Sequence, residues 1–155
     1  MDVEVSEVVQ KINTGLNADT VEWCPFDGLQ HLLLCGTYQL EEQTMSIPED
    51  SSLPQPPNKT EQTRAGGIII FGLDFRASHQ PVLEKLSNLN LCGVLDIKWP
   101  DKRLSNTAVF GFVDAEGFCQ LFAVDETFSP KEVSKAKLTA NSLGLSLGFS
   151  DPCNG

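Results

Sequence analysis

The segment Gly144-Leu145-Ser146-Leu147-Gly148 has the G-x-S-x-G spacing of a nucleophile elbow. That chemistry needs a strand, a sharp turn and then a helix, so that the serine hydroxyl stands exposed. An acid and a histidine must follow in the chain to take and hold its proton. Here only seven residues follow Gly148, and both histidines, His31 and His79, precede it. Ser146 also lies inside an alternating apolar pattern that reads as a strand. A strand serine between small neighbours is the expectation, not a catalytic elbow.

Asp74, Asp96, Asp114 and Asp125 are the carboxylates whose placement could suggest paired acid–base work. Asp74 and Asp125 close equivalent apolar runs, and Asp114 opens a tight turn. That repetition points to carboxylates that accept turn N–H groups. His31 sits in a connection ahead of an apolar run and reads as a hydrogen-bonded surface residue. Cys24, Cys35, Cys92, Cys119 and Cys153 are odd in number and form no C-x-x-C pair, and the only histidines, His31 and His79, sit far apart. Zinc sites need close-spaced ligand pairs, so these read as reduced, buried thiols.

The elements that would position these groups repeat along the chain. Asp19-Thr20-Val21-Glu22-Trp23, Val94-Leu95-Asp96-Ile97-Lys98-Trp99 and Leu145-Ser146-Leu147-Gly148-Phe149 each alternate and end on a large aromatic. Alternation buries one face of a strand. A proline shortly after each aromatic ends the hydrogen-bond ladder, because it has no N–H to donate. In the first two units a second apolar run follows, around Gly36 and Gly111, and then a third, Gly67–Asp74 and Gly117–Asp125. Asp114-Ala115-Glu116-Gly117 joins the later pair, with Gly117 supplying the positive φ of a hairpin.

In the first unit, residues 41–64 stand where that turn would be. They hold four prolines, five acids and no aromatic, and read as a disordered loop insertion. Trp99 follows Trp23 by 76 positions, of which this stretch takes 24, and Phe149 follows Trp99 by 50. A unit of roughly 50 residues with several short strands is the mark of a propeller blade. The predicted fold is all-β: an incomplete WD40-type β-propeller of about two blades plus the first strand of a third. Residues 1–155 would be the N-terminal portion, with the remaining blades missing. Val5–Ile12 is predicted as a closing strand or a short helix.

Composition limits the rest. Hydrophobic residues make up 41% of the chain, and no run approaches the ~20 apolar residues of a membrane-spanning helix. The opening Met1-Asp2-Val3-Glu4 lacks the basic start of a secretory signal, so a cytoplasmic location is expected and the sequon at Asn58 is read as incidental. With 21 acids against 11 bases, net charge −10, direct nucleic-acid binding is not expected.

Two stretches are more specific. Leu16-Asn17-Ala18-Asp19-Thr20-Val21-Glu22-Trp23-Cys24-Pro25 with His31-Leu32-Leu33-Leu34-Cys35-Gly36-Thr37-Tyr38-Gln39-Leu40 resembles the start of the diphthine methyl ester hydrolase family, WD-repeat proteins of diphthamide biosynthesis. Later pieces, Val94–Trp99, Gly111–Gly117 and Leu143–Ser150, fit the same order. The resemblance spans residues 16 to about 150, apart from 41–64. It implies hydrolysis of the methyl ester of methylated diphthine on elongation factor 2, the implied partner. Water would attack the ester carbonyl and donors would stabilise the oxyanion. The resemblance carries over no catalytic residue, no cofactor and no metal. The rival expectation is a non-catalytic WD-repeat scaffold, the commonest use of the fold.

Overall fold

A computed structural model describes residues 8–43, 61–76, 80–138 and 142–150. It is all-β, with eight strands in two antiparallel sheets and no helix among the described residues. Sheet 1 is β1 (Asn17–Trp23), β2 (Leu32–Gln43), β3 (Glu61–Asp74) and β4 (Val82–Cys92). Sheet 2 is β5 (Val94–Lys98), β6 (Ala108–Asp114), β7 (Phe118–Val124) and β8 (Pro130–Lys137). Each sheet is a meander in chain order. The two blades of a partial β-propeller are present, and the ring is not closed. Among the described residues no helix is long and apolar enough to cross a membrane.

The apolar runs read from sequence became the inner three strands of each blade. β6 is buried along its whole length, which explains why Ala108–Val113 reads as a continuous apolar run. Asp114–Gly117 forms the expected turn, with Gly117 at φ 78° and its N–H donated to the Asp114 carbonyl at 3.1 Å. Within the 41–64 span, β2 runs on to Gln43 and β3 starts at Glu61, with Glu41 opposite Thr63. Those ends are strand rather than loop; residues 44–60, with their four prolines and the sequon, lie outside the described residues.

The core lies between the sheets. Leu32, Leu34, Ile68 and Ile70 of sheet 1 meet Val94, Ile97, Trp99, Phe110, Phe112 and Phe122, which lie in sheet 2 or at its entry. Phe110 is fully buried, with ring centroids 5.4 Å from Trp99 and 6.0 Å from Phe122. The seam needs a glycine: a Cβ at Gly36 would lie 2.6 Å from the Thr20 methyl and 2.9 Å from Val94. A second apolar layer, Cys35, Ile69 and Phe71 with Leu33 and Leu83, covers the other side of sheet 1.

Two expectations are corrected. Leu145–Phe149 is not a strand, because no neighbouring strand pairs with it among the described residues. It is nonetheless seated on sheet 2, with Gly144 N–H donated to the Asp114 carbonyl at 2.9 Å. Leu147 and Phe149 lie over Gly111, where a Cβ would come within 2.9 Å of each. In the Val5–Ile12 segment, residues 8–12 form neither strand nor helix, and residues 5–7 lie outside the described residues. There the Gln10 amide donates to the Leu83 carbonyl at 3.0 Å and accepts its N–H at 2.9 Å. The opposite outer strand, β8, is exposed along nearly all its length and carries Lys131, Lys135 and Lys137.

Candidate functional site

The first strands of the two blades bring together side chains that the sequence spaces widely. Glu22 comes from β1, Asp96 and Lys98 from β5, and Ser146 from the segment after β8. Lys98 Nζ donates to a Glu22 carboxyl oxygen and lies 3.3 Å from Asp96 Oδ1. Asp96 Oδ2 accepts the Leu147 N–H at 2.9 Å and the Ser146 hydroxyl at 3.3 Å. β-strand alternation explains the row: Ile97 points into the core, so Asp96 and Lys98 on either side point away from it.

The electrostatics assign a role to Lys98. Its hydrogen bond to Glu22, and then the nearby Asp96, push its pKa up against the opposing effect of burial. It is therefore a fixed ammonium whose charge Glu22 and Asp96 already offset, and not a proton acceptor. Ser146 is exposed and donates to a carboxylate, but among the described residues no helix follows it and no histidine is a hydrogen-bond partner. The elbow chemistry is not assembled. Asp96 acts as a tie across some 50 positions of sequence, binding blade 2 to the segment beyond it.

The other sequence candidates fall into repeating structural positions. Asp74 accepts the Arg76 N–H at 2.7 Å, Asp114 the Glu116 N–H at 3.0 Å and Asp125 the Thr127 N–H at 2.9 Å. Each carboxylate accepts a donor two residues on, as the turn reading expected. His31 stands edge-on to Phe128, ring centroids 5.8 Å apart, at the rim of a cavity of about 560 Å³ shared with Asp74, Phe75 and Glu84. A neighbouring cavity of about 720 Å³ is lined by Asp27, Arg103, Asp125 and Lys131. Its charges are largely engaged already: Lys131 pairs with Asp125 at 3.0 Å and Arg103 donates to the Asp27 carbonyl at 2.9 Å. His79 and Cys153 lie outside the described residues.

Cys24, Cys35, Cys92 and Cys119 are unpaired thiols, and burial pushes each of them up. They are neutral and poorly nucleophilic at neutral pH. Among the described residues no group of three or more His, Cys, Asp or Glu side chains could hold a metal ion.

Asp125 gives a pH prediction. The Thr127 hydroxyl, then Lys131 and the Thr127 N–H, hold its carboxyl well below the usual carboxylate range. A depressed folded-state pKa contributes stability in full above the unfolded value, ~3.9; the contribution shrinks below it and is gone only once pH has fallen through the folded-state value. The melting temperature of Asp125→Asn should therefore lie below wild type at pH 7, and the gap should be smaller, though not closed, at about pH 3. An equal gap at both pH values would contradict the assignment.

Two curated proteins match the chain. Diphthine methyltransferase of Mus musculus is 34% identical over 147 residues, covering 92% of this chain and 29% of its own length. Diphthine methyltransferase of Homo sapiens is 34% identical over 150 residues, covering 92% of this chain and 32% of its own. The chain thus spans about a third of the length of the curated relatives it matches. No family model matches, and no solved structure does.

Proposed function

With the assignment to the diphthine methyltransferase family supported by both relatives, we propose that this chain serves diphthamide biosynthesis. Its reaction is removal of the methyl ester from methylated diphthine on elongation factor 2, in the cytoplasm. The observation that carries this reading is the extent of the similarity, which reaches across both blades rather than resting on one motif. In the reaction, the oxygen of a water molecule adds to the ester carbonyl carbon, the acyl–oxygen bond breaks and methanol leaves. Negative charge develops on the carbonyl oxygen, and a fixed cation beside it lowers the barrier.

The names of the relatives favour a second reading, transfer of a methyl group to diphthine. The two reactions change the substrate in opposite senses, so one assay separates them. Elongation factor 2 carrying methylated diphthine is incubated with the purified chain and its intact mass followed. Hydrolysis predicts loss of one methyl group above the rate without protein. A folded sample that produces no loss overturns hydrolysis by this chain. Mass gain on unmethylated diphthine, given a methyl donor, supports transfer instead.

A further inference from the structure

β3 carries an arginine in the row of residues that faces blade 2. Ile68 and Ile70 of that row are fully buried in the seam, and strand alternation puts Gly66 and Arg64 on the same side. The pairing of β2 with β3 runs without a shift from Leu32 to Gln43, so nothing interrupts the alternation. Arg64 therefore stands where the row leaves the apolar core and meets the β6–β7 turn. Its side chain lines two cavities, of about 430 and 410 Å³, and Ala115 and Glu116 of that turn line both.

The residue is fixed at its backbone. Its carbonyl accepts the Gly93 N–H at 3.0 Å and the Cys92 thiol at 3.1 Å. The facing turn is fixed as well, since the Ala115 N–H donates to the Gly93 carbonyl at 2.8 Å. Yet Arg64 Nε is buried and has no hydrogen-bond partner among the described residues. A buried donor without an acceptor costs free energy that an incoming acceptor would recover. Lys137, held 4.3 Å over the Phe118 ring, adds a second cation to the lining of the smaller cavity.

We propose that Arg64 binds a carboxylate side-on in this cleft between the blades, with Nε and one Nη donating to its two oxygens. A side-on fork uses the atom that the fold leaves unpartnered, and its planar spacing matches a carboxylate. Glu41 lines one cavity and Glu116 both, so a group with one negative charge is favoured over a phosphate dianion. The site lies apart from the Glu22–Lys98–Asp96 row, whose cation is already offset. The inference does not rest on the ester chemistry proposed above, and the two are tested separately.

The test titrates the isotope-labelled chain with sodium propionate at constant ionic strength. Nuclear magnetic resonance follows the Arg64 Nε–H signal, identified by its loss in Arg64→Lys. The expected result is a saturable downfield shift that chloride does not produce. Arg64→Gln should weaken propionate binding, read from the amide signals of Ala115 and Glu116, by about tenfold or more. Arg64→Lys keeps the charge but should lose most of the binding, because an ammonium cannot form the fork. A capped peptide with one glutamate between alanines separates the sources: tighter binding than propionate assigns the site to a protein side chain, equal binding to a free acid. Far-ultraviolet circular dichroism checks that each variant is folded. Three results would overturn the proposal: no saturable shift, full binding by Arg64→Lys, or a shift from Glu116→Gln alone as large as that from propionate, which would show that Glu116 already occupies the fork.

Discussion

Phe110→Ala is expected to destabilise the chain by about 4 kcal/mol, a large fraction of the 5–15 kcal/mol that holds a typical domain together. Phe110 is fully buried, and its ring meets Trp99, Phe112 and Phe122 with centroids between 5.4 and 6.4 Å. Truncation loses the transfer free energy of the ring and leaves a cavity that three other aromatics cannot collapse to fill. The damage falls at the seam between the sheets, because Trp99 packs on Phe110 as well as on Phe26. Both blades should therefore unfold together in a single, earlier urea transition. A variant in which sheet 1 melts separately, with sheet 2 unaffected, would show that the seam is not shared. Phe110→Leu keeps most of the volume and should recover more than half of the loss.

Asp114→Ala is expected to cost about 3 kcal/mol by a different route. Asp114 is 2% exposed and holds the turn between β6 and β7 from within. One oxygen accepts the N–H groups of Glu116 and Phe118 at 3.0 and 2.9 Å, and the other accepts the Gln120 amide at 2.7 Å. Alanine removes the acceptor and leaves the buried Gln120 amide without that partner. Asp114→Asn keeps one oxygen acceptor, so it should lose roughly half as much. Equilibrium unfolding of the three proteins gives the ordering directly. If Asn and Ala were equally destabilising, the negative charge rather than the acceptor geometry would be what the turn requires.

The inner strands were legible in the sequence because each buries a face whose residues alternate or run on apolar. Asp19–Trp23, Val94–Trp99 and the runs around Gly36 and Gly111 all belong to that class. β4 and β8 were not singled out, because Val82–Cys92 mixes Glu84, Lys85, Asn88 and Asn90 among its leucines and Pro130–Lys137 is exposed almost throughout. An outer strand needs only a ladder partner and leaves little pattern. The turn aspartates were legible since their partners lie two residues away. The Glu22–Lys98–Asp96–Ser146 row was not, because it forms only when one blade stacks on the next and joins residues 50 to 76 positions apart. Trp23 and Trp99 carry nearly the same local sequence but differ in exposure, 48% against 8%. A repeat specifies where an aromatic points, while burial depends on whether a sheet stands there to meet it.

The two outer strands are protected from one another's kind by unlike devices. At β4 the Gln10 amide engages both backbone groups of Leu83, the same groups that a strand from another molecule would need. At β8 the protection is charge, from Lys131, Lys135 and Lys137, the last two lying over the Phe118 ring at 4.2 and 4.3 Å. A hydrogen-bonded clamp is indifferent to dissolved ions, whereas repulsion between lysines reaches only ~10 Å at 0.1 M salt and ~3 Å at 1 M. Concentrated salt thus weakens the guard on one border of the molecule and leaves the clamp at Leu83 on the other in place.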